Sequence, residues 1–189
     1  MAENAAKRAQ TKSKLKAALI ELCQETGYYN VTVLDICRQA GMYRSTFYRY
    51  YDTKDEVLRE IEHEYIEAVR GLTPTLWSIH ADASSEDMAQ YRRELTADME
   101  YHREHQAVCK FLLSPAGDLT FYRMMVESIG QYIKMNLQKY GTKDAKTMEY
   151  LTSFFAAGFV STIEKWLKTD DCPPSEIAEF LLNMIIELQ

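Results

Sequence analysis

The residues best equipped for chemistry lie between positions 43 and 51. Tyr43, Arg44, Ser45, Thr46, Tyr48, Arg49, Tyr50 and Tyr51 surround a single apolar anchor, Phe47. Guanidinium forks pair bidentately with guanine or phosphate, and hydroxyls reach phosphates or base edges. A helix that is merely solvated seldom carries four tyrosines, so this run suits recognition of nucleic acid rather than bond making. Arg44, Thr46 and Tyr43 are the expected base-edge contacts. Thr32, Ser45, Tyr48, Tyr50 and Lys54 are the expected phosphate contacts, with Arg49 beside them.

Other reactive types are sparse. Asp98, His102 and His105 stand at i, i+4 and i+7, with Glu94 a turn earlier. That spacing could hold a divalent metal. Their heavily charged surroundings, MEYHREHQ, point instead to a solvated face, so no metal is expected. His63 and His80 stand singly. Cys23, Cys37, Cys109 and Cys172 are too scattered for a zinc or disulfide framework, and three of them sit at apolar helix positions and fit core thiols in a reducing cytoplasm. The chain has no G-x-S-x-G and no glycine-rich phosphate loop, so neither an enzyme nor a cofactor is expected.

The elements that must position the reading run are short. Thr32 and Asp35 form a capping box that opens a helix with Leu34, Ile36, Cys37 and Ala40 on its apolar side. Gly41 permits a left-handed turn. A second helix over 43–50 is too short to stand without neighbours. Thr53 and Glu56 repeat the box and open a third helix running to Gly71, with Val57, Leu58, Ile61, Tyr65, Ala68 and Val69 inward. Two short helices joined by a glycine turn place the second in a DNA major groove. Upstream, Leu15, Ala18, Leu19, Leu22 and Cys23 make one stripe of a scaffold helix over 14–26. Residues 1–9 read as a frayed arm, where Lys7 and Arg8, with Lys12 and Lys14 beyond, supply positive charge.

These residues resemble the helix-turn-helix of the TetR/AcrR transcriptional regulators. The resemblance rests on the Thr32 start, the Ala40-Gly41 turn, Ser45-Thr46-Phe47-Tyr48, and the exit Tyr50-Tyr51-x-x-Lys54. It is close over about residues 10–60. Members often carry Ser or Thr where this chain has Tyr43, which leaves the recognition helix without its usual side-chain cap and offers Tyr43 to DNA. LLSPAGD at 112–118 and AAGFVSTIEKWL at 156–167 look like the C-terminal domain of one TetR subgroup. The resemblance implies a double-stranded operator, a homodimer, and a repressor released by a small-molecule effector. A helical co-regulator that binds a protein partner is the alternative.

Charge supports the division. The net charge is −6, yet residues 1–54 carry nine Lys/Arg against five Asp/Glu, and the remainder carries 13 against 23. The positive excess therefore lies with the reading run. Seven glycines, four prolines and no strand-like alternation predict an all-α chain of about nine helices. No apolar run approaches the roughly 18 residues that span a bilayer, so no membrane partner is expected. The expected domains are 1–54 for the arm and DNA reader, 55–71 for a connecting helix, and 72–189 for effector binding and dimerisation.

The last of these is rich in Met and aromatic residues, which suit an apolar or aromatic effector. Expected pocket residues are Trp77, Met88, Tyr91, Met99, Phe111, Phe121, Met125, Tyr132 and Phe155. Helices are expected at 74–80, 84–105, 106–113, 118–140, 147–168 and 175–189. The last two are expected to build an isologous four-helix dimer. Ala156, Ala157, Gly158 and Ser161 permit close approach, Phe154, Phe159, Ile163 and Trp166 flank them, and Phe180, Leu181, Met184 and Ile185 stand on the final helix.

Overall fold

The structure, a computed structural model, describes residues 2–75, 83–114, 119–139 and 144–187. Every regular element among them is helical. The chain divides into two compact units: Met1–Tyr65 with Phe111–Leu119, and Ile66–Lys110 with Thr120–Gln189. The first unit thus extends past the expected boundary at 54. The reason is that Val57, Leu58 and Ile61 of the third helix bury their side chains like the rest of its core.

In the first unit, α1 spans Ala2–Thr26. Residues 2–9 are therefore helical rather than a frayed arm, consistent with the strong helix propensity of an Ala-rich start. Leu15 and Leu19 are fully buried on α1, and Gly27 (φ 78°) ends it in a conformation that L side chains rarely adopt. A 3-10 turn, Tyr28–Asn30, leads to α2, Val33–Gln39. The predicted capping box is present: Asp35 N–H donates to Thr32 Oγ1 at 3.2 Å, and Thr32 N–H donates to Asp35 Oδ2 at 3.0 Å. α2 closes with paired bonds from Gly41 N–H to Arg38 O (3.2 Å) and Met42 N–H to Cys37 O (2.8 Å), with Gly41 at φ 65°.

α3 is only Arg44–Phe47. A single turn cannot hold itself together, so its stability comes from Phe47, which is fully buried. α4 follows over Lys54–Leu72. Thr53 Oγ1 caps it by accepting from Glu56 N–H at 3.3 Å. Glu56 reaches back one residue further than the expected box, accepting from Asp52 N–H at 2.8 Å. α1 and α4 are tied by Lys12 to Glu60 (2.5 Å) and Lys16 to Glu60 and Glu64 (3.1 and 2.6 Å).

In the second unit, α5 (Ser85–Glu104) starts with a Ser84–Asp87 capping box, as the sequence indicates. α6 (Gln106–Leu112), α7 (Leu119–Lys139), α8 (Ala145–Thr169) and α9 (Pro174–Glu187) follow. α5 and α9 run against each other, joined at the surface by a bidentate pair from Arg92 to Glu179 (2.5 and 3.0 Å). α7 and α8 cross closely at Gly130, where a Cβ would stand 3.3 Å from Thr152 Cγ2. Asp170 (φ 47°) ends α8, and Trp166 Nε1 donates across the turn to Cys172 O at 2.9 Å. Residues 76–80 of the short helix expected at 74–80, Trp77 and His80 among them, lie outside the described residues.

Candidate nucleic-acid interface and a buried cavity

In the first unit, burial of Phe47 fixes which side chains of α3 face outward. Tyr43 is 84% exposed, and Arg44, Ser45, Tyr48 and Arg49 are exposed, while Thr46 and Tyr50 are half-buried. Tyr43 occupies the N-cap position with extended backbone and no side-chain cap bond, as its type predicts. Arg44 Nη2 donates to Tyr48 Oη at 3.2 Å, and its guanidinium lies 5.8 Å from the Tyr48 ring centroid. This holds the fork extended along the outer face while its other donors stay available. Arg8 of α1 lies 5.8 Å from the Tyr50 ring centroid, which adds a cation beside the same region.

Two expected phosphate contacts are engaged internally. Thr32 donates its hydroxyl to Asp35 Oδ2 at 2.5 Å, and its N–H goes to the same carboxylate. Those hydrogen bonds hold the Asp35 carboxyl below the usual carboxylate range. The Lys54 ammonium donates to Tyr28 O and Val31 O, each at 2.7 Å, and sits 4.3 Å from the Tyr28 ring centroid. Lys54 thereby satisfies the carbonyls ahead of α2, where the sequence suggested a phosphate ligand. Tyr28 also donates its hydroxyl to Asp55. Tyr29 (79% exposed) also faces outward, and so does Leu34 (48% exposed), which the sequence placed on the apolar side of α2.

In the second unit, five helices line a cavity of about 30 Å³. Ile66, Val69 and Arg70 of α4 and Thr73 just beyond it form one wall, and Leu95, Asp98, Met99 and His102 of α5 another. Met125, Ser128 and Ile129 of α7, Phe159 and Ile163 of α8, and Leu181 of α9 complete it. Of the expected pocket residues, Met99 and Met125 are on the wall. Tyr91 and Phe121 are buried away from it, Met88 and Phe155 are half-buried, and Phe111 is buried in the segment belonging to the first unit. Trp77 and the Tyr132 side chain lie outside what the structure describes.

The face expected to be solvated is the cavity's polar corner. Glu94, Asp98 and His102 are all buried, the last completely. Glu94 is satisfied by Thr75 N–H (2.9 Å), Thr75 Oγ1 (2.5 Å) and Gln90 Nε2 (2.9 Å). Asp98 Oδ1 lies 3.5 Å from His102 Nε2 and makes no hydrogen bond to a described residue. His102 Nδ1 is 3.8 Å from Cys109 Sγ. Burial pushes Asp98 up to about 8; burial and the neighbouring His105 push His102 down to about 4. His105 turns away and stacks on Tyr101 with centroids 4.0 Å apart. Among the described residues no three His, Cys, Asp or Glu gather as metal ligands. The overlooked signal was register: Glu94, Asp98 and His102 share the stripe of Tyr91, Leu95 and Met99, which is buried.

On α8 and α9 the expected interface residues separate. Trp166, Leu181 and Ile185 turn into the unit's own core. Gly158, Ser161 and Phe180 are exposed, and Ala157 and Met184 are half-buried. Ala156, Phe159 and Ile163 are buried as well, whereas Phe154 (72%) is exposed in line with Gly158 and Ser161, and Tyr150 (65%), one turn earlier, extends the exposed strip beyond the expected set.

Residues 15–61 match the family described as bacterial regulatory proteins, tetR family, and residues 94–187 match a transcriptional regulator C-terminal region of the same group. The chain belongs to the TetR family of DNA-binding transcriptional regulators. The fold of this TetR-family chain is similar to that of a TetR transcriptional regulator from Streptococcus agalactiae 2603V (TM-score 0.67, 22% identity, covering 98% of this chain and 99% of that one). It is also similar to a putative TetR-family regulator from Syntrophomonas wolfei str. Goettingen (0.69, 17%, 96% and 95%). A third likeness is to the regulator FadR from Bacillus subtilis in complex with stearoyl-CoA (0.60, 13%, 94% and 98%). No curated protein sequence matches. No helix among the described residues is long and apolar enough to cross a membrane.

Proposed function

We propose that this TetR-family regulator is a dimeric repressor that a small apolar effector releases from its operator. The observation that carries the DNA-reading part is the exposed Tyr43-Arg44-Ser45 edge of a helix fixed from behind by buried Phe47. Arg44, Thr46 and Tyr43 read base edges, and Ser45, Tyr48, Arg49 and Tyr50 meet phosphates. Thr32 and Lys54 set the geometry of α2 and of the turn before it.

One four-residue helix makes few contacts, so two copies must act together on half-sites about one helical turn apart. The strip of Tyr150, Phe154, Gly158 and Ser161 on α8, with Phe180 on α9, supports pairing with a second copy. It combines exposed aromatic area with small residues that permit close helix approach. The cavity supports the effector, since it joins an apolar lining to a few polar groups. α4 is one unbroken helix from Lys54, beside the reader, to the cavity residues Val69 and Arg70, and so gives an effector a physical route to α3.

Selection of bound sequences from random duplex DNA tests this reading. Enrichment of a two-fold symmetric site is expected. Failure to enrich any sequence, or enrichment unaffected by Arg44→Ala, sinks the assignment of α3 as the reader.

A further inference from the structure

We propose that the helical unit takes a small apolar amine as its effector, with the ammonium seated on Asp98 and the alkyl group against Met99, Met125 and Ile129. This rests on the reading of the cavity as an effector site and names the chemical class that the site accepts.

Asp98 is 7% exposed, lies on the cavity wall, and has one carboxyl oxygen without a hydrogen bond to any described residue. A buried carboxyl in that condition carries the full desolvation cost of its polar atom, which a donor from the ligand offsets. Three features make that donor a cation. The wall contains no lysine, and its one other formal charge, Arg70, is taken up by Ser128 Oγ (3.1 Å) and Glu67 (2.9 Å). A charge-assisted bond to a carboxylate is roughly twice as strong as a neutral one. An anionic head group gains nothing comparable, since at pH 7 the Asp98 carboxyl is neutral and its ionised form would repel a second negative charge in a poorly screened interior.

Size narrows the class further. An interior of about 30 Å³ is well below the roughly 150 Å³ of a cavity that admits benzene. A guest larger than a couple of water molecules enters by displacing Met99 and Met125, the two most flexible side chains of the wall.

The facing groups also define a proton signature. α5 presents Asp98 and His102, α4 presents Arg70, and the lining from α7, α8 and α9 brings no titratable group. With Asp98 raised to about 8, its carboxyl is protonated at pH 7 and must release about one proton as an ammonium binds.

Calorimetry of the full chain at pH 7 with butylammonium, 1-butanol and butyrate, and with their octyl counterparts, tests the proposal. The amines are expected to bind about tenfold or more tighter than the alcohols, with the carboxylates weakest. Buffers of different ionisation heat should report about one proton released per amine. Asp98→Asn should weaken the amines about tenfold, abolish proton release and leave the alcohols unchanged. Should that variant not fold, the head-group ranking and proton count of the unaltered protein still decide. Carboxylates or alcohols binding as well as amines overturn the amine class and leave the effector reading in place. Absence of binding by all six compounds overturns both.

Discussion

The Lys54 ammonium donates to the Val31 carbonyl at 2.7 Å and, at the same distance, to the Tyr28 carbonyl three residues earlier. One side chain from the first turn of α4 thus fastens the backbone that leads into α2. Lys54→Met leaves both carbonyls without that donor. It is expected to lower stability by about 2 kcal/mol in urea denaturation, since hydrogen bonds from charged groups lie in that range. The salt dependence of DNA binding should keep its slope. An unchanged urea midpoint with a shallower slope would return Lys54 to the phosphate backbone.

Arg44 is expected to behave in the opposite way. Its exposed guanidinium takes no part in the core, so Arg44→Ala should leave thermal unfolding unaltered. Affinity for the selected operator should fall roughly 5- to 150-fold, with relaxed preference at one base position per half-site. A uniform loss on all sequences would instead make Arg44 a phosphate contact.

The Asp98–His102 corner predicts a distinctive stability profile. With Asp98 raised to about 8, the folded chain holds a proton that the unfolded chain lacks between about pH 4 and 8, so this group makes stability fall as pH rises. With His102 lowered to about 4, the unfolded chain holds the extra proton up to about pH 6.5, and stability rises with pH there. The two slopes offset each other below pH 6.5, and the Asp98 slope alone remains from there to about 8. Urea midpoints at pH 5.5, 6.5 and 8 should therefore be level and then decline. In Asp98→Asn they should rise and then level. Identical profiles for the two proteins would remove Asp98 as the titrating group.

Gly158 offers a clean test of the α8–α9 pairing. A Cβ there meets nothing within 4 Å in the chain, so a larger residue costs the subunit's own packing little. Gly158→Phe should yield monomers by light scattering at an unchanged helix content. A persistent dimer would place the interface elsewhere.

What the sequence makes legible here is what short-range chemistry decides. Thr32 with Asp35, and Ser84 with Asp87, mark helix starts because the partners lie three residues apart. Phe47 is recognisable as the anchor because it is the one apolar residue in a polar run. Glu56 bonding Asp52 rather than Thr53 depends on the exact path of the chain entering α4, which residue types do not encode. The polar corner escaped because its charges outweighed its register. Asp98 and His102 lie on the buried side of α5, and only the packing of four other helices shows that this side encloses space. Trp166 and Leu181 shared the apolar character of Phe180, and which of them faces inward is settled by how α8 and α9 rotate in their own unit.

The single-turn α3 has a consequence for how such a protein can change over generations. Phe47 is the one fully buried side chain of α3, while Tyr43, Arg44 and Ser45 face outward and take no part in the core. On the proposed reading of α3 as the DNA reader, substitutions at those three positions would redirect the molecule to a new set of genes with little penalty in folding. A duplicated copy could therefore diverge in its targets while the scaffold beneath stays the same.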